Sequence, residues 1–220
     1  MQKNLTELVF VVDRSGSMAG LESDTIGGLN ATLKRNREVE GDCNVSIVLF
    51  DTKSDVIVDR KPIQKVRDLT TRQYRVGGCT ALLYAVGDAV RYIGKVQQIL
   101  PETHRAEHVI FTIITDGQEN ASRRRTYQEV KRMIEARQEE GWEFLFLGAN
   151  IDAAAEAERM GIYTDHATQY VSDDIGTAIA YEAMACAQVS RRETGAVDDT
   201  WAAAPMADAQ KRGGFAFWRR

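Results

Sequence analysis

The amino-acid sequence predicts an α/β domain: a doubly wound, mostly parallel central sheet of about six strands, including one antiparallel edge strand, with helices on both faces. Three observations predict it. Several short runs are apolar throughout and rich in Val, Ile, Leu and Phe, as strands buried on both faces must be. Between them lie longer segments whose apolar residues recur at helical spacing. One pair of strand-like runs is joined by only four turn-forming residues, too short a link for a parallel crossover.

Residues 8–12 (LVFVV) form the first buried strand and end at Asp13. A Gly-Ser turn leads into residues 21–39, where Leu21, Thr25, Ile26, Leu29 and Leu33 are spaced as on a helix. Residues 44–50 (NVSIVLF) are a second buried strand, and 55–58 a shorter one across the turn Asp51-Thr52-Lys53-Ser54. That hairpin supplies the antiparallel edge. Residues 66–75 admit a short helix. Gly77-Gly78 then breaks the chain before a strong helix over 81–100, with Leu82, Leu83, Val86, Val90, Ile93 and Val96 on its apolar face. Residues 108–115 (HVIFTIIT) and 142–147 (WEFLFL) are further strands, separated by a charged amphipathic helix over 127–140. A short Ala-rich helix over 153–160 stopped by Gly161, a weak strand near 169–171 and a helix over 174–191 complete the order. The domain is expected to span 1–191. Residues 192–220, Ala- and Gly-rich without a sustained period, read as a loosely ordered C-terminal tail.

Composition narrows the function classes. With 44% hydrophobic and 27% charged residues, a chain of 220 residues can bury a core without staples. The 28 Lys and Arg against 32 Asp and Glu leave a net charge of −4, which argues against the broad basic face of a nucleic-acid binder. Cys43, Cys79 and Cys186 are far apart and form no CxxC pair, so neither a disulfide framework nor a zinc cluster is indicated. The first apolar run is too short for a signal segment, and no stretch reaches the ~18 apolar residues of a membrane span. A cytoplasmic location is expected.

In an open α/β sheet, ligands gather beyond the carboxyl ends of the strands where the strand order reverses. Asp13-Arg14-Ser15-Gly16-Ser17 follows the first strand, and Thr115-Asp116-Gly117 closes the strand over 108–115. Thr80 stands in a glycine-led loop just before a helix, where its hydroxyl reaches the same crevice. Two carboxylates and three hydroxyls would converge there. A donor set of oxygens alone, without imidazole or thiolate, suits a hard cation such as Mg²⁺ or Mn²⁺.

The ordered trio Asp13-x-Ser15-x-Ser17, Gly78-x-Thr80 and Thr115-Asp116-Gly117 resembles the metal-ion-dependent adhesion site of von Willebrand factor A domains, of the stand-alone bacterial or phage type. The likeness covers about residues 5–190, including the element order. It implies the Rossmann-like fold of that family, a cation held by Asp13, Ser15, Ser17, Thr80 and Asp116, and a remaining position that accepts a Glu or Asp of a protein partner. By the same resemblance that partner is an ATPase or chaperone-like assembly, and the chain is no enzyme. Cys79 departs from the usual Thr or Gly and adds an oxidisable thiol beside the site.

Two other readings share these residues. One is a metal-dependent hydrolase or phosphotransferase using Asp13 or Asp116, although no paired base and no phosphate-cradling GxxxxGK[ST] accompanies them. The other is a structural component, of a virion or another assembly, whose metal site is vestigial. His104, His108 and His166 form no HExxH pattern and read as surface or satisfied histidines. Arg123-Arg124-Arg125 reads as a solvated run before a helix, or as a receptor for a partner's acids. Arg14 is expected to point to solvent at the rim. The terminal Phe215-Ala216-Phe217-Trp218-Arg219-Arg220 reads as a tail folded over an apolar patch, or as a docking peptide.

Overall fold

A computed structural model describes residues 1–212. Six strands form one sheet: β1 (Gln2–Asp13), β2 (Cys43–Phe50), β3 (Ser54–Pro62), β4 (Ala106–Thr115), β5 (Glu143–Ala149) and β6 (Ala167–Tyr170). Their order is β3-β2-β1-β4-β5-β6, with every neighbouring pair parallel except β2 with β3. The expected doubly wound sheet with an antiparallel edge is therefore present. The chain steps from β1 to one side and later returns to pair β4 on the other, so the strand order reverses between β1 and β4.

The helices are α1 (Glu22–Arg37), α2 (Leu82–Ile99), α3 (Tyr127–Glu139), α4 (Ala153–Arg159), α5 (Asp174–Thr194) and α6 (Ala203–Lys211). The period-two alternation of β1 divides the core into two layers. Leu8, Phe10 and Val12 pack with Leu29 and Leu33 of α1 and Met184 of α5. Val9 and Val11 pack with Leu82, Val86 and Val90 of α2 and Val130 and Ile134 of α3. Burial of these strands on both faces is what made them continuous apolar runs in the sequence.

Local chemistry marks the helix ends. Thr126 and Glu129 form a reciprocal capping box on α3, and Asp152 and Asp173 cap α4 and α5. Gly195 closes α5 at φ +82°. In α5 the stripe Ile179, Ala180, Ala183, Met184 and Ala187 faces the core, with Ile179 half-buried and the other four buried.

Two expectations need correction. Residues 66–75 form no helix; they run as a loop whose buried Val66 and Leu69 are anchored by α1. Asn30 accepts the Leu69 N–H at 2.7 Å and donates to its carbonyl at 3.0 Å, and Arg37 donates to the Val66 carbonyl at 3.0 Å. Side chains thus satisfy backbone groups that a helix would have satisfied internally.

The loosely ordered tail from residue 192 does not hold over 192–212. Helix α5 continues to Thr194, and α6 packs on α5 and on β6, burying Trp201, Ala202, Pro205 and Ala209. Trp201 Nε1 also donates to the Asp165 carbonyl at 3.0 Å. An indole that buries its rings while satisfying its N–H is sufficient anchor for a segment whose other contacts are mostly alanine. The segment Phe215–Arg220 lies outside the described residues.

The two sheet edges are treated differently. Helix α6 lies against β6, whereas β3 is largely exposed and carries Asp55, Asp59 and Lys61 with two register shifts against β2. Among the described residues no helix is long and apolar enough to cross a membrane.

Candidate metal centre

Three loops meet at the strand-order reversal, and backbone bonds tie them. Gly16 N–H donates to the Gly78 carbonyl at 3.1 Å, Gly77 N–H to the Arg14 carbonyl at 2.9 Å, and Asn120 N–H to the Thr80 carbonyl at 3.0 Å. Gly78 adopts φ +78°, and a β-carbon there would stand 2.8 Å from Thr52 Oγ1, so both conformation and space call for glycine.

These ties bring together all five residues expected from the sequence. Ser15 Oγ lies 3.1 Å from Ser17 Oγ and accepts a hydrogen bond from the Thr80 hydroxyl at 3.1 Å. The Ser17 hydroxyl donates to Asp116 Oδ1 at 2.6 Å. Asp13, Ser15, Thr80 and Asp116 are buried, and Ser17 faces solvent. The cluster is thus buried apart from Ser17, which opens it to solvent.

Asp13 is held from several sides. Its Oδ1 accepts the Ser15 N–H at 2.7 Å, its Oδ2 accepts the Thr115 hydroxyl at 2.6 Å, and its carbonyl accepts the buried Tyr74 hydroxyl at 2.5 Å. Burial pushes its carboxyl up to about 6, against the lowering effect of the Thr115 and Ser15 hydrogen bonds, and the nearby Asp116 adds to the rise. Burial likewise raises Asp116, opposed by the Ser17 hydrogen bond.

The donor set fits a hard cation. Asp116 Oδ2 is buried without a hydrogen-bond partner, an arrangement that costs about 1–3 kcal/mol if nothing else meets it. Adjacent oxygens of an octahedron with bonds of about 2.1 Å lie about 3.0 Å apart, close to the Ser15–Ser17 and Ser15–Thr80 separations of 3.1 Å. A β-carbon on Gly117 would stand 3.2 Å from Thr80 Oγ1 and 3.4 Å from Ser17 Oγ, so this glycine keeps the space beside the hydroxyls open. Among the described residues no group of three or more His, Cys, Asp or Glu is placed to hold a metal. Any cation here rests on hydroxyls and two carboxylates, which disfavours soft ions.

Several supporting residues were not legible as part of the site. Thr115, part of the Thr115-Asp116-Gly117 motif, supports the site through its hydroxyl on Asp13 Oδ2. Asn120 Oδ1 accepts the Thr80 N–H at 2.9 Å, and Glu119 Oε2 accepts the Leu83 N–H at 2.8 Å, where α2 lacks a side-chain cap of its own. Partners 36 and 40 residues apart leave no spacing signal. Arg14 corrects another expectation: it is partly buried and paired with Asp51 at 2.9 Å and with Asp55, so it braces the β2–β3 turn instead of facing solvent. The Cys79 thiol is exposed beside the site. His166 pairs with Glu143 at 3.0 Å on the strand beyond β4.

No family model and no curated protein matches the chain. Solved structures do. The von Willebrand factor domain of the type V pili tip protein Mfa5 from Porphyromonas gingivalis matches with a TM-score of 0.62 at 12% identity, over 88% of this chain and 98% of that one. Proximal thread matrix protein 1 from the mussel byssus, in a structure with a zinc-occupied MIDAS motif, matches with a TM-score of 0.56 at 15% identity over 82% of this chain. A von Willebrand factor type A protein from Catenulispora acidiphila gives 0.55 at 13% over 84%. The chain spans less than half of the latter two, 44% and 43% of their lengths.

Proposed function

Since the chain has the von Willebrand factor A fold, we propose that it is a non-enzymatic protein-binding module whose Asp13, Ser15, Ser17, Thr80 and Asp116 hold one Mg²⁺ or Mn²⁺. One observation carries the reading: two buried carboxylates and three hydroxyls converge with no protein cation among them, and Asp116 Oδ2 is left without a donor. Bound there, the cation would offer a Glu or Asp of a partner a Lewis-acidic position for one carboxylate oxygen.

The chain's own residues do the remaining work. Ser15, Ser17 and Thr80 are neutral donors, so Asp13 and Asp116 supply the negative charge of the set and no third acid in it competes with an incoming carboxylate. Thr115 and the Ser15 N–H fix the orientation of Asp13, and Asn120 fixes the Thr80 backbone. Exposed Ser17 is where an incoming carboxylate enters.

The test is calorimetric titration of Mg²⁺ and Mn²⁺ into the wild type and Asp13→Ala. The expected result is binding that the substitution abolishes without unfolding the chain. The finer assignment, an ATPase or chaperone-like partner, is checked by pull-down: an ATPase retained in Mg²⁺ and released by EDTA supports it, and equal recovery with chelator removes it. Hydrolysis of a phosphoester probe that disappears in Asp13→Ala would transfer the site to the hydrolase reading.

A further inference from the structure

We infer that the partner segment is multiply acidic: the carboxylate that reaches the cation is flanked by further Asp or Glu residues, which a rim of unpaired cations receives. The inference rests on the cation-bridge reading above. Lys53, Arg72, Arg75, Arg123 and Arg124 are exposed, and among the described residues none of their charged groups has an ion pair or hydrogen bond.

Their backbones are moored to the site. Lys53 follows Thr52, whose Oγ1 accepts the Cys79 N–H at 3.0 Å, one residue before Thr80. Arg75 precedes by two residues Gly77, which donates to the Arg14 carbonyl, and Arg72 precedes by two Tyr74, which donates to the Asp13 carbonyl. On the other side, the backbone N–H groups of Arg123 and Arg124 both donate to the Tyr84 hydroxyl, at 2.9 and 2.5 Å, at the start of α2. Three residues earlier Asn120 holds Thr80. Each cation thus belongs to a residue within four positions of one hydrogen-bonded to a site loop, a span of at most roughly 14 Å of extended backbone, so the five lie on or beside the loops that carry the site.

The acids nearest this rim are occupied. Asp51 and Asp55 are paired with Arg14, Asp88 with Arg125, and Glu119 is spent on the α2 N-terminus. Glu22 takes the Gly20 N–H at 2.8 Å. The chain as a whole is acidic at −4, so these five cations are a local excess on the loops next to the place where a carboxylate is expected. Four of its five cations are arginines, whose planar fork grips carboxylates in bidentate fashion. A long nucleic acid fits less well, because five cations beside a net-negative body give it little to follow.

Two labelled synthetic peptides test the inference on the full chain in Mg²⁺: one carries a single Glu among Gly, Ser and Ala, the other the same Glu flanked by two Asp on each side. By fluorescence anisotropy the flanked peptide is expected to bind at least about tenfold tighter, with the gap closing at about 0.5 M salt. The double variants Arg123→Gln/Arg124→Gln and Arg72→Gln/Arg75→Gln should each reduce that preference severalfold, with Mg²⁺ titration reporting that each variant folds. Equal or undetectable binding of both peptides, or a preference that both double variants retain, overturns the rim. A preference that persists undiminished in EDTA upholds the rim and removes the cation bridge. A single-stranded oligonucleotide that outcompetes the acidic peptide overturns the peptide assignment in favour of nucleic acid.

Discussion

Strand β1 carries two fully buried carboxylates, Glu7 and Asp13, on the same face and about 20 Å apart. Burial raises both. Their surroundings differ in one respect. Glu7 Oε2 meets the Arg60 guanidinium at 3.0 Å and Gln97 at 3.5 Å, and Arg60 takes φ +41° in the irregular β3 to reach it. Asp13 receives only neutral donors, and the nearest charge that bears on it is another carboxylate, Asp116. The fold supplies an internal cation to one buried acid and withholds it from the other. That contrast separates a brace from a binding site more sharply than burial or raised proton affinity, which the two share.

The sharpest way to break the comparison is to delete each acid. Asp13→Ala should lower Mg²⁺ affinity at least about 100-fold, near 2.7 kcal/mol, while the metal-free urea midpoint changes by less than the equivalent of about 1 kcal/mol. Glu7→Ala should do the opposite, costing about 2–4 kcal/mol of stability by leaving Arg60 without its buried acid, with cation affinity unchanged in calorimetry. If both variants lose cation binding equally, the two acids are not distinct in kind.

Proton linkage gives the next largest effect. The Asp13 carboxyl, about 6 folded against 3.8 for its ordinary value, holds its proton more tightly in the folded chain. Its contribution to stability is therefore fully present below pH 3.8 and is lost as pH rises through about 6, roughly 3 kcal/mol in the metal-free protein. Urea titrations from pH 4 to 7 should show this decline, and Asp13→Ala should remove its share. Added Mg²⁺ should offset the decline at the upper end, and Mg²⁺ affinity should fall about tenfold per pH unit below 6. Glu7 slopes in the same direction, but its share should ignore Mg²⁺.

Smaller effects probe how the site is held. Gly117→Ala places a methyl group 3.2 Å from Thr80 Oγ1 and should weaken Mg²⁺ binding about three- to tenfold with little change in urea midpoint. Asn120→Ala frees the Thr80 backbone and should cost about two- to fivefold in the same titration. An unchanged affinity in Asn120→Ala would mean that the Gly77–Gly78 loop alone positions Thr80.

Strands β1, β2, β4 and β5 were legible because burial on both faces leaves no polar alternation to confuse. The three loops that carry the candidate site were legible because Asp13, Thr80 and Asp116 each sit where a strand ends or a helix begins. Residues 66–75 misled because Val66 and Leu69, three apart, imitate one helical turn while their backbone partners are Asn30 and Arg37. Helix α6 was missed because alanines dominate it and its main anchor, Trp201, lies just outside. The Glu7–Arg60 pair joins residues 53 apart on non-adjacent strands, and nothing in a linear reading couples them.

The unequal sheet edges limit how copies could join. Among the described residues α6 packs against the edge strand β6, whereas the other edge strand, β3, is largely exposed. Two copies meeting through that strand would each use up that open margin, giving a closed two-fold pair with nowhere to add a third. Self-pairing through β3 would therefore close at a dimer, which sedimentation of the chain over a range of concentrations would reveal.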